Sequence, residues 1–436
     1  MINMEYLIYG LPILLFCGWY LVGRIRSDRL NAAVKQEALQ AGLTEPASLH
    51  PIINMKTCIG CGSCVKACPE QPEHHVLGLI QGKAHLVSPT DCIGHGACKT
   101  ACPVGAIELV FGTEKRGVDI PVLSPAFETT VPGIFVAGEL GGMGLIRNAL
   151  EQGRQAVEVI ARTRPKRKGV LDLLIVGAGP AGFAASLAAT AAKLNFVTVE
   201  QESLGGCVFQ YPRAKLVMTS PAELPLVGKM HFKHTSKEDL LKFWQDAERK
   251  VGLKVQYKER VETVQRCEDG TFIVKTARKA YKAGSVLLAI GRRGTPRKLG
   301  VPGEELPKVV YRLIDPEQYR GRTVLVVGGG DSALEAAASI AELPETKVAL
   351  SYRGEAFDRA KAKNRERIAA ATKSGRLELL MASKLQQIDD QSVVVDLRGK
   401  AVKFSNDAVI VSAGGILPTE FLKSAGIEVA TKYGTR

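Results

Sequence analysis

Two runs of thiols stand at metal-ligand spacing. Cys58, Cys61, Cys64 and Cys68, closed by Pro69, read C-x2-C-x2-C-x3-C-P. A second run starts 34 residues later with Cys92, Cys98 and Cys102, closed by Pro103, and carries His95 where the register calls for the second cysteine. Thiolates at this spacing suit an iron–sulfur cubane: a tight loop brings three sulfurs to one cluster, and the fourth cysteine, past the turn, reaches another. Gly60, Gly62 and Ser63 keep the loop slim enough for backbone amides to approach the sulfides. Zinc is the alternative, since four thiolates also fill a tetrahedral site. Zinc sites usually pair two separated C-x-x-C arms, so a duplicated four-ligand run favours iron–sulfur. Seven of the ten cysteines lie between Cys58 and Cys102. That clustering points to ligands in a reducing compartment and not to a disulfide framework.

Residues 51–112 resemble the bacterial-type two-cluster ferredoxin domain, by the two quoted runs. The resemblance implies that cluster one takes Cys58, Cys61, Cys64 and Cys102, and that cluster two takes Cys68, Cys92, Cys98 and whatever stands at position 95. Two readings of His95 remain. An imidazole is a good iron ligand, and a neutral nitrogen in place of a thiolate should raise the potential. Alternatively His95 does not ligate, and the second cluster is 3Fe-4S or has an open iron. His74 and His75 have no such register and read as surface residues.

Two further constellations bind nucleotides. In "LDLLIVGAGPAGFAASLAATAAKLNFVTVE", residues 171–200, an apolar strand runs into Gly177, Gly179 and Gly182, an alanine-rich helix follows, and a second strand ends at Glu200. The glycines allow the tight turn, the approach of a pyrophosphate and the packing of helix on strand, while Glu200 suits a ribose hydroxyl. A lone G-x-G-x-x-G is a weak signal; strand, helix and acid at the right distances strengthen it. A second copy at residues 321–343 has Gly328, Gly330, Ser332 and Ala333 between strand and helix. Its next strand leads to Arg353, with Arg359 behind it and no acid at the ribose position. Arginine there favours a 2′-phosphate, hence NADPH over NADH.

With two nucleotide sites, the chain resembles the thioredoxin-reductase-like pyridine nucleotide reductases over residues 115–436. "VLLAIGRRGTPRKLGVPGEE", with Gly291, is similar to the crossover that leaves the FAD domain. "AVIVSAGGILPTEFL", with Gly414, is similar to the return crossing. The closing flavin motif of that family, an acid at a strand end before a helix facing the flavin ring, is expected near residue 430. It is matched instead by residues 128–161, "ETTVPGIFVAGELGGMGLIRNALEQGRQAVEVIA", with Gly138 and Glu139 and a helix from about Leu145. The resemblance therefore implies a circularly permuted order, the tail ahead of the head, which close surface termini make feasible.

Many members of that family reduce disulfides through a cysteine pair. Here "LGGCVFQYPR" offers only Cys207, with Tyr211 and Pro212 where a partner would stand, and Cys267 is alone. A dithiol relay is therefore not expected. What remains is a division of electrons between a nicotinamide, which delivers hydride in pairs, and clusters, which carry one each, with FAD between them. The expected function is NAD(P)H-dependent electron transfer with a one-electron redox protein or membrane carrier, and the flavin, not a protein side chain, as the catalytic group. Two other readings are a flavin dehydrogenase of a small metabolite with the clusters as outlet, and a non-catalytic redox sensor or assembly subunit.

These sites need elements to hold them. The expected fold is α/β, with two Rossmann-like dinucleotide-binding domains, FAD and NAD(P), a small α+β ferredoxin-like domain, and one N-terminal transmembrane helix. The last rests on "YLIYGLPILLFCGWYLVG", residues 6–23, about 27 Å as a helix. Glu5 precedes it and Arg24, Arg26 and Arg29 follow, which favours an anchor over a cleaved leader and puts the remainder in the cytoplasm. The expected order is an anchor at 1–24, a linker helix at 25–50, the ferredoxin-like domain at 51–112 and the permuted flavin segment at 113–161. A basic linker at 162–169, the FAD domain at 170–295, the NAD(P) domain at 296–415 and a return to the FAD domain at 416–436 complete it. The net charge of +14 suits an anionic surface or acidic partner. Nucleic acid is not expected, for want of a reader motif. A homodimer is left open.

Overall fold

The computed structural model describes residues 4–434, apart from 41, 42, 45, 47, 48, 72, 73, 115, 116, 143, 164–166, 214, 219, 220, 233, 293, 358 and 359; side chains are described from residue 13 onward, except 216, 218 and 234. Arg359 and the middle of the basic linker thus lie outside the described residues. The chain forms two compact units, residues 1–116 with 433–436, and residues 117–432.

The first unit is built on the duplicated thiol runs. Strand His50–Ile53 pairs antiparallel with Ile107–Val110, and Leu77–Ile80 forms a hairpin with Lys83–Leu86. Each run turns into a short helix, Ser63–Ala67 or Ala97–Thr100. The turns match in backbone as well as in sequence. Gly60 and Gly62 have φ of 69° and 75°, Gly94 and Gly96 have 80° and 76°, a region where a Cβ is strained. Gly60 has a second constraint, because a Cβ there would lie 2.0 Å from the Gly82 carbonyl oxygen.

One helix, Met4–Gln40, precedes this unit's sheets, where an anchor followed by a separate linker helix was expected. Its far half docks on the hairpin. Asn31 is buried and donates to the Leu79 carbonyl, Asp28 accepts from the Gln81 amide, and Lys35 meets His85 at 3.0 Å. The transmembrane helix of the expected fold, and with it the single-pass membrane location, is corrected: among the described residues no helix is long and apolar enough to cross a membrane. The Met4–Gln40 helix continues through Arg24, Arg26, Asp28 and Arg29 and serves as a brace for the hairpin.

The second unit contains two parallel five-stranded sheets. The first runs in the order Val255–Tyr257, Phe196–Glu200, Leu173–Val176, Val286–Leu288, Ile134–Val136. The central strands are apolar on both faces because both are covered: Leu173, Leu174 and Ile175 are fully buried. The strand from the early segment, Ile134–Val136, forms the sheet's edge, and helix Ile146–Thr163 lies against helix Pro180–Ala191. The close approach of these helices requires glycine: a Cβ on Gly153 would sit 2.0 Å from the Ala181 carbonyl oxygen.

The second sheet runs in the order Val309–Val310, Ala408–Val411, Thr323–Val327, Lys347–Tyr352, Leu377–Met381. Each sheet is accompanied by a three-stranded antiparallel sheet, within 261–283 and 383–405. The chain crosses between the two halves at Thr295–Pro296 and Gly415–Ile416, which pair antiparallel. Its last strand, Val429–Lys432, pairs with Val118–Pro121.

Candidate functional site: two thiol-lined hollows and two glycine loops

In the first unit, Cys58, Cys61, Cys64 and Cys102 line one hollow, with Gly60, Gly62, Ala84 and Ile107. Cys68, Cys92, His95 and Cys98 line a second, with Glu70, Val76, Leu77 and Leu109. Three residues of each set come from one run and the fourth from the other, because each run's last cysteine follows its helix and lies beyond the turn. Among the described residues no three His, Cys, Asp or Glu side chains are gathered around a single ion. The thiols line the two hollows instead.

Burial dominates the electrostatics of four of these thiols. Burial pushes the Cys64 and Cys92 thiols up to about 11 and raises those of Cys68 and Cys98. Thiolates in such surroundings need compensating positive charge, which bound iron supplies. Cys61 differs: it is exposed, and its contact with the Ser63 hydroxyl lowers its pKa. The Ala106 amide donates to Cys102 Sγ at 3.2 Å, and the Lys83 ammonium donates to the Cys58 carbonyl at 2.6 Å.

In the second unit, Gly177 and Gly179 lie on the loop joining strand Leu173–Val176 to helix Pro180–Ala191, and Gly182 lies in the first turn of that helix. Added Cβ atoms would meet backbone oxygens at 2.6 Å from Gly177 and 1.8 Å from Gly182, whereas at Gly179 the nearest atom is 3.8 Å away. The flanking glycines thus pack and the middle one leaves room, as a phosphate cradle needs. Glu200 ends its strand beside this loop. One carboxylate oxygen accepts the Ala178 amide and the other the Glu202 amide, and burial holds its pKa above the usual range.

Gly138 reaches the same loop from the early segment: φ is 82°, and a Cβ there would be 3.0 Å from Ala181 Cβ. Glu139 follows at the start of a short 3-10 turn, Glu139–Gly141. Gln152, not singled out in the sequence, accepts the Gly138 amide and ties the turn to helix Ile146–Thr163. Gly291, at φ 66°, lies near Cys207, its Cβ position 3.9 Å from Sγ.

The other loop leads into helix Asp331–Ala341. A Cβ on Gly328 would be 2.4 Å from the Ser412 carbonyl oxygen, while Gly330 faces open space. Ser332 lies in the first turn of that helix, and Ala333 is fully buried. Arg353 is exposed just past strand Lys347–Tyr352. Gly414 precedes the return crossing with φ 84°. Tyr352 was missed by sequence reasoning: its ring presses on Gly329 and Gly354 and stacks on Phe357 with centroids 5.4 Å apart. No motif marks it, since the contact depends on a strand end meeting a loop.

Two dinucleotide loops and a thiol-rich domain define an FAD- and NAD(P)-binding oxidoreductase with 4Fe-4S clusters. The pyridine nucleotide-disulphide oxidoreductase model matches residues 174–435, and the chain belongs to that family. A 4Fe-4S dicluster domain model matches residues 50–103, ahead of it. The chain is 28% identical over 268 residues to a ferredoxin–NADP reductase of Ignicoccus hospitalis, covering 60% of this chain and 83% of that one. It is 31% identical to a ferredoxin–NADP reductase of Thermus thermophilus, covering 56% and 73%. Bacillithiol disulfide reductase of Staphylococcus aureus shares its fold, with TM-score 0.51 and 23% identity over 59% of this chain and 83% of that one.

Proposed function

We propose that this protein passes electrons between NADPH and a one-electron protein partner through FAD and two 4Fe-4S clusters held in the same chain. The observation that carries the proposal is the sorting of eight ligand-type side chains into two hollows of four, in a chain that also has both nucleotide loops. Bound FAD would supply the exchange between the two-electron chemistry of a nicotinamide and the one-electron chemistry of iron–sulfur clusters.

The chain's own residues bind and tune. Gly177, Gly179 and Gly182 admit the FAD pyrophosphate to the amides at the head of helix Pro180–Ala191, Glu200 orders that loop, and Gly138 and Glu139 bring the early segment to it. Gly328, Gly330, Ser332 and Ala333 do the same for the nicotinamide cofactor, and Arg353 favours its 2′-phosphate. In cluster one, Lys83 places a positive charge beside Cys58, which stabilises added negative charge there. In cluster two, His95 completes the ligand set with Cys68, Cys92 and Cys98.

The disulfide chemistry of some relatives is not carried over, because Val208, Phe209 and Gln210 follow Cys207 and offer no second thiol. The partner is acidic, by charge complementarity with a chain of net charge +14. Anaerobic titration of the purified protein with NADPH tests the whole proposal. Flavin absorbance should bleach, and EPR signals of reduced clusters should follow. Bleaching without any cluster signal, with the iron present, would sink it.

A further inference from the structure

The second hollow holds one group that neither the ligand register nor the family comparison explains. Glu70 is 7% exposed, and its Oε1 is buried without a hydrogen bond. A buried carboxylate oxygen without a hydrogen bond is costly unless something in the hollow, which Val76, Leu77 and Leu109 also line, satisfies it. That same oxygen lies 3.9 Å from His95 Nε2. Both side chains line the space shared with Cys68, Cys92 and Cys98. His95 itself is carried between Gly94 and Gly96, both at positive φ.

We propose that Glu70 is the positioning residue for His95. Its carboxylate takes the Nε2–H, which fixes the tautomer and leaves Nδ1 as the nitrogen with a lone pair for iron. The inference rests on the reading of His95 as a ligand of cluster two. Closing the gap to hydrogen-bond length needs about 1 Å of side-chain movement. A metal-bound imidazole with its other nitrogen held by a carboxylate is a more basic and better-oriented ligand, and such partners change metal affinity by roughly 10- to 100-fold. Cluster one has no counterpart, because Cys61 needs no tautomer. The asymmetry between the hollows thus extends beyond position 95 to the residue behind it.

The test uses reconstituted full-length protein with 15N-labelled histidine, read by iron content and by continuous and pulsed EPR. Wild type should show a nitrogen coupling on one cluster, lost in His95→Cys. No coupling in wild type would mean that His95 is not a ligand, and would remove the ground on which the role of Glu70 stands. Given the coupling, Glu70→Ala should speed oxidative loss of one iron from cluster two, with its three-iron signal, at least tenfold. Glu70→Gln keeps an acceptor oxygen and should stay within about threefold of wild type. In the His95→Cys background, Glu70→Ala should change nothing beyond twofold. Equal loss in both backgrounds would make Glu70 a general structural residue, and a Glu70→Ala protein that keeps its iron as wild type does would also overturn the proposal. So would iron loss in Glu70→Ala beside an intact four-iron cluster in His95→Ala, since the carboxylate would then be the ligand.

Discussion

Replacing Gly153 by alanine tests the packing that joins the early segment to the flavin fingerprint, and the two competing effects have opposite signs. In an open helix the change should stabilise, because alanine is a better helix former by roughly 0.8–1 kcal/mol. Here the new Cβ would lie 2.0 Å from the Ala181 carbonyl oxygen, 2.8 Å from its carbon and 3.1 Å from Cα. A carbon–oxygen contact normally needs about 3.3 Å, so the helices must separate by about 1.3 Å. The obstacle is backbone and cannot rotate away. Overpacking of this kind costs typically 1–3 kcal/mol, and a backbone obstacle puts the cost at the upper end. The net expectation is a loss of about 1–2 kcal/mol, a fall of roughly 2–8 °C in the melting of the flavin-binding unit. Calorimetry, with FAD fluorescence reporting release, gives both numbers, and FAD should leave earlier because Gly138 shares the contact with Ala181. Gly23→Ala is the control, since nothing lies within 4 Å of its Cβ position, and neither transition should fall. If Gly153→Ala matches or exceeds wild-type stability, the close helix approach is wrong.

Other substitutions probe the remaining sites. Arg353→Ala should raise KM for NADPH about tenfold more than for NADH, since a charge-assisted phosphate contact is lost; equal effects on both would deny it a role at the 2′-phosphate. Glu139→Ala should weaken FAD retention, measured by dialysis and fluorescence, while leaving iron content at about eight per chain, two cubanes of four. Gly60→Ala combines positive φ with a 2.0 Å clash on the Gly82 oxygen, so the first cluster should be lost by iron analysis and EPR with the flavin unaffected. The Arg312 guanidinium, bonded to both oxygens of Glu202, holds that carboxyl below its usual range. A depressed folded pKa adds stability above the unfolded value, near 4.3, and loses it as pH falls through the folded one. Glu202→Gln should therefore flatten the acid limb of a melting-temperature profile below about pH 5, and an unchanged limb would show the pair contributes nothing there; with the pair about a third exposed, the effect should be small and reduced by salt.

Much of the chemistry was legible because it is local. The eight candidate ligand positions sit on two short runs with a repeat of 34 residues, and the glycine loops bracket a strand and a helix within twenty residues or so. The N-terminal helix was misread for the opposite reason. Its apolar composition at residues 6–23 says nothing of Asp28, Asn31 and Lys35, whose partners Gln81, Leu79 and His85 lie about fifty residues away. Glu70, Gln152 and Tyr352 are likewise invisible in one dimension. A glutamate two residues past a cysteine, a glutamine on a polar helix face and a tyrosine at a strand end are each ordinary. Only packing puts them beside His95, the Gly138 amide and Gly329.

The pairing of Val118–Pro121 with Val429–Lys432 joins residues some three hundred positions apart. Both strands lie in the unit that begins at Gly117. On the ribosome, the early segment must therefore wait, with its edge strand Ile134–Val136 unpaired, first for Val286–Leu288 and at last for the closing strand. Long-range closure of this kind is slow and leaves apolar edges exposed to aggregation. The thiol loops, by contrast, lie within residues 58–102 and pair through strands no later than Val110, so they can close while most of the second unit is still unmade.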